Sequence, residues 1–217
     1  MNNSYFITGI GTGVGKTLVS AVLAEALGAH YWKPVQAGFA DGTDSSTVKS
    51  LVVNKTVQFH KEAYKLKLPA SPHIAARAEK ITIEMVKLLQ AYHQVKEKAG
   101  EQDLLVEGAG GLLVPLSEQL LVVDFIKLIQ AKVILVSRNY LGSINHSLLT
   151  AAFCRSNEIP VAGWIFTDTY MDYEDEIVKW SGYPKITHIP LLPTVDQAAI
   201  VAEAKHKKAE ILQVLHG

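Results

Sequence analysis

The sequence has little of three things that mark particular protein classes: cysteine, an excess of one charge, and long apolar runs. Its single cysteine, Cys154, cannot form an intrachain disulfide or a cysteine-based metal site, so a reducing compartment is expected. Lys plus Arg and Asp plus Glu number 21 each, and no net field favours nucleic acid as a partner. No run of 18 apolar residues occurs, and the polar residues 1–5 do not resemble a targeting leader. These absences predict a cytoplasmic protein that does not bind a membrane.

What is present is the composition of a globular protein. Of the 217 residues, 48% are hydrophobic and 19% are charged, which is too apolar for a disordered chain. This length is enough for one well-buried core, and we expect residues 1–217 to form a single domain. Cys154 follows the apolar residues 151–153, which predicts a buried thiol within that core.

Short apolar runs rich in β-branched residues alternate with segments whose apolar residues recur at helical spacing. This alternation predicts an α/β fold with a mostly parallel sheet and helices on both faces. One helix is expected to begin at Ser143, and Thr194 with Gln197 is read as a capping box before the last helix. The expected strands are residues 5–8, 30–35, 103–106, 132–136, 161–166 and 186–189. Residues 37–44 and 167–175 are expected loops, and long loops in such sheets usually carry ligands.

The segment from Gly9 to Thr17 carries the strongest functional signal. It reads GIGTGVGKT, follows an expected strand and opens an expected helix, which is the context of a phosphate-binding loop. Glycines allow successive N–H groups to point at phosphate oxygens, Lys16 reaches the outer phosphates, and Thr17 offers a hydroxyl to magnesium. The strict motif would need glycine in place of Ile10, so this loop is a variant with one extra residue. We expect it to bind a nucleotide, and with this loop the predicted α/β fold resembles that of P-loop NTPases.

Three charged residues are expected to meet at the same edge of the sheet. Glu107 ends a strand before a glycine-rich run, Asp44 lies in the loop after the second strand, and Lys33 ends that strand. Parallel strands present ligands at their carboxyl ends, and carboxylate oxygens suit magnesium. Two of these residues also have an ordinary interpretation: Asp44 as a helix cap and Lys33 as a lysine that extends to water. Asp41 is an alternative to Asp44, because the length of the loop does not fix the register.

Six short motifs follow one another along the chain: GKT at residues 15–17, KPVQAG at 33–38, SPH at 71–73, EGAGG at 107–111, VPL at 114–116 and LGSINH at 141–146. Taken together, these motifs resemble the dethiobiotin synthetase family over nearly the whole chain. The resemblance implies an ATP- and Mg²⁺-dependent ligase that closes the ureido ring of dethiobiotin from 7,8-diaminononanoate and CO2, through a carbamate and its mixed anhydride with phosphate. It implies catalytic roles for Lys33 and Lys16, and a metal held by Thr17, Asp44 and Glu107.

The resemblance also implies further binding residues and a homodimer, in which the partner subunit holds the carboxylate tail of the substrate. Free N–H groups at the start of the helix that follows Gly142 would suit that carboxylate, although an ordinary capped helix is the alternative. The implied substrate residues are Lys33, Ala37, Leu141, Gly142, Ser143 and Asn145. The implied nucleotide residues are Thr12, Gly13, Val14, Gly15, Lys16, Thr17, Asp44, Glu107, Gly108, Ala109, Gly110, Thr167, Asp168, Pro190, Leu191 and Leu192.

Two positions depart from the family's pattern. Ala37 stands where the family often has a serine or threonine that contacts the substrate. Thr167 stands where the family usually has an asparagine that recognises adenine, and a hydroxyl cannot present the paired donor and acceptor of an amide. We therefore expect weaker or differently arranged recognition of the base.

Three other functions share parts of this pattern. A partitioning or cell-division switch ATPase has the same kind of fold, but it typically carries an additional lysine early in the phosphate loop, which Gly9 to Thr12 lack. A cobyrinate-type amide ligase normally carries a glutaminase domain, for which 217 residues leave no room. A non-catalytic nucleotide-binding module would have no need of both Lys16 and Lys33.

Overall fold

The computed structural model describes residues 3–217. The prediction that the chain has no targeting leader was based on residues 1–5, and the first two of these lie outside the described residues. The described residues form a parallel seven-stranded sheet and a parallel two-stranded sheet. The strands are β1 (Ser4–Gly9), β2 (His30–Trp32), β3 (Val35–Ala37), β4 (Phe59–His60), β5 (Tyr64–Leu66), β6 (Leu104–Glu107), β7 (Lys132–Arg138), β8 (Val161–Thr167) and β9 (Lys185–Ile189). The helices are α1 (Lys16–Leu27), α2 (Asp44–Leu51), α3 (Pro72–Ala78), α4 (Met85–Ala99), α5 (Val122–Ile129), α6 (Ser143–Ser156), α7 (Glu174–Ser181) and α8 (Gln197–Leu215).

The order of strands in the large sheet is β4-β2-β6-β1-β7-β8-β9, with β1 at its centre. One hydrophobic cluster, which includes Trp32, Phe125 and Trp164, covers one face of the sheet. A second cluster, which includes Val22 and Ile211, covers the other face. A parallel sheet needs both faces covered, and the predicted α/β fold with helices on both faces is confirmed. Such sheets bind ligands outside the carboxyl ends of their strands, where the order of the strands reverses.

The predicted strand over residues 30–35 is wrong in one respect: the chain leaves the large sheet after Trp32. Proline lacks an N–H and restricts the residue before it, so Lys33 and Pro34 cannot continue the ladder. The carbonyl of Pro34 instead accepts hydrogen bonds from the N–H groups of Ala63 and Tyr64, at 2.9 and 3.0 Å. This redirects the chain into the small sheet and leaves Lys33 at the carboxyl end of β2.

The predictions for helix starts had mixed outcomes. Helix α6 begins at Ser143 as predicted, with Gly142 as its N-cap. The capping box of Thr194 and Gln197 is wrong, because α8 begins at Gln197 and the residue directly before it provides the cap. The carboxylate of Asp196 accepts a hydrogen bond from the N–H of Ala199 at 2.9 Å.

Two further features concern the core and the surface. Cys154 is fully buried as a free thiol, as predicted, and burial raises its pKa to about 12. No helix within residues 3–217 is both long and apolar enough to cross a membrane.

Candidate functional site

The phosphate-binding loop connects the central strand β1 to α1. Gly15 has a φ of 90°, which is costly for any residue with a side chain, and a Cβ there would lie 3.2 Å from the methyl group of Thr167. The loop is held at its start, because the N–H of Ile10 donates to the carbonyl of Val136 at 3.0 Å. The backbone from Gly9 to Gly15 is therefore already curled at the start of a helix, where N–H groups can face an anion.

Lys16 lies within the curve of this loop. Its Nζ atom donates a hydrogen bond to the carbonyl of Gly11 at 3.0 Å, and its side chain is largely buried. Burial, together with the nearby positive charge of Lys33, lowers the pKa of Lys16 to about 8. A phosphate at this position would supply the negative charge that the ammonium lacks.

Glu107 ends β6 and is only 1% exposed. Its Oε1 atom accepts hydrogen bonds from Thr17 Oγ1 and Lys33 Nζ, both at 3.0 Å. Its Oε2 atom accepts from Ser20 Oγ at 2.8 Å and from Tyr31 OH at 2.9 Å. A buried carboxylate is stable only when it is paired and hydrogen-bonded, and Glu107 has both kinds of partner.

Lys33 lies between two carboxylates. Its ammonium forms ion pairs with Asp44 and Glu107 and also lies 3.4 Å from the carbonyl of Gly108. Burial alone would lower the pKa of Lys33, but the Glu107 and Asp44 carboxylates outweigh burial and raise the pKa above its ordinary value. Lys33 is therefore a fixed positive charge at the end of β2.

Asp44 is held by the start of α2. Thr43 is the N-cap of this helix and Asp44 its first residue, where a carboxylate is favoured by the helix dipole. The N–H of Asp44 donates to Gln36 Oε1 at 3.0 Å, and Gln36 Nε2 donates to the carbonyl of Gly38 at 2.8 Å. Asp44 is not the helix cap itself. Its rival Asp41 is exposed, and no ion pair of Asp41 is present among the described residues.

These residues surround a cavity of about 790 Å³. Its lining brings together most of the residues predicted for the phosphates, the metal and the reacting end of the substrate. From that set the lining includes Thr12, Gly13, Gly15, Lys16, Thr17, Lys33, Ala37, Asp44, Glu107, Ala109 and Gly110. The remaining lining residues are Val35, Gln36, Pro69, Ala70, Ser71, Pro72 and Val114.

The other predicted residues lie outside this cavity. Val14 is buried against the hydrophobic cluster on the α1 side of the sheet. Gly108 turns the chain after β6, where a Cβ would lie 2.6 Å from the ring of Phe6. Leu141 is 87% exposed, whereas Ser143 is buried and its Oγ atom lies 2.6 Å from the hydroxyl of Tyr173. Gly142 and Asn145 are exposed on the first turn of α6.

The residues predicted to contact the base also lie apart from the cavity. Thr167 donates a hydrogen bond from Oγ1 to the carbonyl of Val14 at 2.9 Å, so its hydroxyl supports the phosphate-binding loop. Asp168 pairs with Arg138 at 2.9 Å, and the N–H of Thr169 followed by Arg138 lowers the pKa of its carboxyl. Pro190, Leu191 and Leu192 follow β9, and Leu191 is 72% exposed.

Among the residues that sequence reasoning missed, three hydrogen-bond to Glu107 or Asp44: Ser20, Tyr31 and Gln36. Ser20 lies three residues after Thr17 and therefore on the same face of α1. Tyr31 precedes Lys33 by two residues, and Gln36 lies within the motif that contains Lys33. Spacing along the chain could have drawn attention to all three, but their partners become visible only in the folded structure.

The fold resembles solved structures of partitioning and cell-division ATPases. A ParA family ATPase from Chlorobium tepidum matches with a TM-score of 0.56 at 15% identity, covering 100% of this chain and 94% of that one. The MinD cell division protein from Aquifex aeolicus matches with a TM-score of 0.57 at 16% identity, covering 94% and 96%. At these identities the likeness shows the fold alone.

Sequence comparison is more specific. A family model described as an AAA domain matches residues 3–199. The ATP-dependent dethiobiotin synthetase BioD of Christiangramia forsetii is 42% identical over 215 residues, covering 99% of this chain and 100% of that protein. The protein of the same name from Cytophaga hutchinsonii is 44% identical over 201 residues, covering 92% and 94%. The one from Agrobacterium fabrum is 40% identical over 217 residues, covering 99% of each. With this similarity over nearly its whole length, the chain belongs to the dethiobiotin synthetase family.

Proposed function

We propose that this chain closes the ureido ring of dethiobiotin from 7,8-diaminononanoate and CO2, with ATP as the phosphoryl donor. One amine of the substrate adds to CO2 and loses a proton, which gives a carbamate. A carbamate oxygen then takes the γ-phosphoryl group of ATP, and the second amine attacks the carbonyl carbon and releases phosphate. The observation that carries the proposal is Lys33, held as a buried cation between Asp44 and Glu107 in a cavity that also contains Lys16.

Each step of this reaction concentrates negative charge in a small volume. Phosphoryl transfer is catalysed mainly by positioning the reactants and by stabilising that charge. Lys33 keeps its proton because two carboxylates raise its pKa, so it can stabilise a carbamate without first gaining a charge. Lys16 is held at the phosphate-binding loop, where its ammonium would meet the outer phosphates.

The donor atoms near the loop also fit magnesium, which forms part of the proposal. Thr17 Oγ1 and Glu107 Oε1 lie 3.0 Å apart, and Asp44 reaches the same region through Lys33. Within residues 3–217 no group of three or more His, Cys, Asp or Glu side chains forms a metal cage. Magnesium is usually held by one or two carboxylates together with phosphates and water, so this donor set is of the expected kind. When bound, the ion would neutralise charge on the phosphates.

We also propose that the active form is a homodimer. The first turn of α6, with Leu141, Gly142, Ser143 and Asn145, does not line the cavity of its own chain. Leu141 is 87% exposed, more than any other large apolar side chain within residues 3–217, and a second copy of the chain would cover it. The N–H groups at this helix start could bind the substrate carboxylate of a second copy.

A reducing cytoplasm is the proposed setting, since the only cysteine is a free thiol.

We propose that the nucleotide base binds beside Thr167, Asp168 and the segment formed by Pro190, Leu191 and Leu192. The hydroxyl of Thr167 is already bonded to Val14, which leaves it without a free donor for the base. We therefore propose that ATP is used with modest discrimination against other triphosphates.

The test is the substrate dependence of phosphate release from ATP. We expect release only when both the diamine and bicarbonate are present, with dethiobiotin formed in equal amount. Equal ATP turnover without the diamine would contradict the ligase and would fit a switch ATPase instead. A chain that stays monomeric at every concentration while fully active would contradict the shared substrate site.

A further inference from the structure

The two oxygens of the Glu107 carboxylate have different surroundings. The donors to Oε1 are Thr17 and Lys33, both of which line the cavity together with Glu107. The donors to Oε2 are Ser20 and Tyr31, both fully buried and neither part of the cavity lining. One oxygen therefore faces the reactants and the other faces the protein core.

The fold explains why Ser20 and Tyr31 reach the core-facing oxygen. In the register of β2 and β6, Tyr31 lies opposite Leu105. Side chains alternate between faces along a strand, so Glu107 points to the same face as Leu105, two residues farther along β6. The long side chain of Tyr31 spans this diagonal. Ser20 approaches from α1, one turn after Thr17 and deeper under the sheet.

A carboxylate held at one oxygen can still rotate about its last torsion, which is broad for glutamate. Two hydroxyl groups on Oε2, one from a helix and one from a strand, remove that freedom. We propose that Tyr31 and Ser20 are positioning residues, which orient the Glu107 carboxylate so that Oε1 stays directed at Thr17, Lys33 and a divalent cation. This inference rests on the proposed function for the identity of the reaction, but the positioning itself concerns binding of the cation.

Tyr31 is suited to this role because its phenol is a hydrogen-bond donor. The hydroxyl donates to Oε2 at 2.9 Å from a fully buried side chain. The hydroxyl of Ser20 donates to the same oxygen at 2.8 Å, so loss of either group leaves the other in place.

Three variants test the proposal: Tyr31→Phe, Ser20→Ala and the control Tyr5→Phe. Tyr5 is also a fully buried tyrosine in the large sheet, but its hydroxyl donates to the carbonyl of Leu215 at 2.8 Å, away from Glu107. The main measurement is the affinity for Mn²⁺ in the presence of ADP, determined from the electron paramagnetic resonance signal of the free ion. Mutation of a residue that orients a metal ligand typically weakens metal affinity by about 10- to 100-fold. We expect about a tenfold weaker Mn²⁺ affinity for Tyr31→Phe and for Ser20→Ala, and no change for Tyr5→Phe.

Steady-state kinetics give a second readout. Both site variants should lower kcat while the KM for ATP changes little, because the phosphate-binding loop is untouched. Unchanged Mn²⁺ affinity in both variants, even with a lower melting temperature, would overturn the proposal and leave the hydroxyls a purely structural role. Wild-type protein that binds Mn²⁺ with ADP but releases no phosphate with the diamine would instead contradict the proposed function. Ser20→Ala, which removes a single oxygen atom, keeps the test decisive if Tyr31→Phe fails to fold.

Discussion

The carboxyl edge of the large sheet is organised differently on its two sides. Around β1, β2 and β6, Lys33 and Glu107 are buried, Asp44 is partly buried, and Lys33 is already paired with both carboxylates. Around β7, β8 and β9, the residues predicted for the base and the substrate tail are exposed or occupied elsewhere, as with Leu141 and Thr167. We call these two regions the phosphate side and the base side.

This difference shows that the charged groups are preorganised on the phosphate side of the site. Removing Lys33 and Glu107 from water costs desolvation free energy, and only good geometry and additional hydrogen bonds offset that cost. On the phosphate side those bonds are present before any ligand arrives, which is the arrangement that stabilises developing charge most effectively. The base side keeps exposed apolar residues that a nucleotide or a second copy of the chain could cover.

The largest expected effect comes from removing the central cation of the phosphate side. Lys33→Ala should lower kcat by about 10²- to 10³-fold, the usual cost of losing one preorganised charge-stabilising group. Binding of a non-hydrolysable ATP analogue, measured by calorimetry, should remain close to wild type, because Lys16 and the phosphate-binding loop are intact. Lys16→Ala is the matched contrast and should lose nucleotide binding. Loss of binding in Lys33→Ala would assign Lys33 to the phosphate-binding loop instead.

The same contrast separates what the sequence predicts from what it does not. The phosphate-binding loop is a local pattern, and the meeting of Lys33, Asp44 and Glu107 follows from the rule that parallel strands end at one edge. The predictions lacked strands β4 and β5 and helices α3, α5 and α7. Strand β4 has only two residues, too few to show a period, and the apolar residues of α5 are nearly continuous.

Two further misses, the roles of Tyr31 and Thr167, have one physical origin. The register between β2 and β6 decides that Tyr31 reaches Glu107, and no local pattern encodes that register. The engagement of Thr167 with Val14 likewise joins residues that are 153 positions apart. Contacts of this kind depend on how whole elements pack, whereas the motifs depend only on neighbouring residues.

An intermediate effect is expected from a charge placed on the base side. Leu141→Asp should raise the KM for the diamine about tenfold or more, because the new carboxylate would repel the carboxylate of the substrate and disturb the proposed interface. This magnitude corresponds to the loss of one hydrogen bond to a charged group, which is worth about 1.5–3 kcal/mol. The KM for ATP should not change. Leu128→Asp, on an exposed leucine of α5, is the matched control and should change neither value. Sedimentation of both variants would show whether dimer formation changes together with the diamine KM. An unaltered diamine KM in Leu141→Asp would remove this segment from the substrate site.

The smallest expected effect lies where the two sides meet. Thr167→Val keeps the shape of the side chain but removes the hydrogen bond to the carbonyl of Val14, a loss of about 1 kcal/mol. If Thr167 supports the loop rather than reading the base, the KM should rise by about fivefold at most, and equally for ATP, GTP and CTP. Steady-state assays with the three triphosphates measure this directly. A rise confined to ATP would mean that the hydroxyl of Thr167 recognises adenine, and the boundary between the phosphate side and the base side would then move to include it.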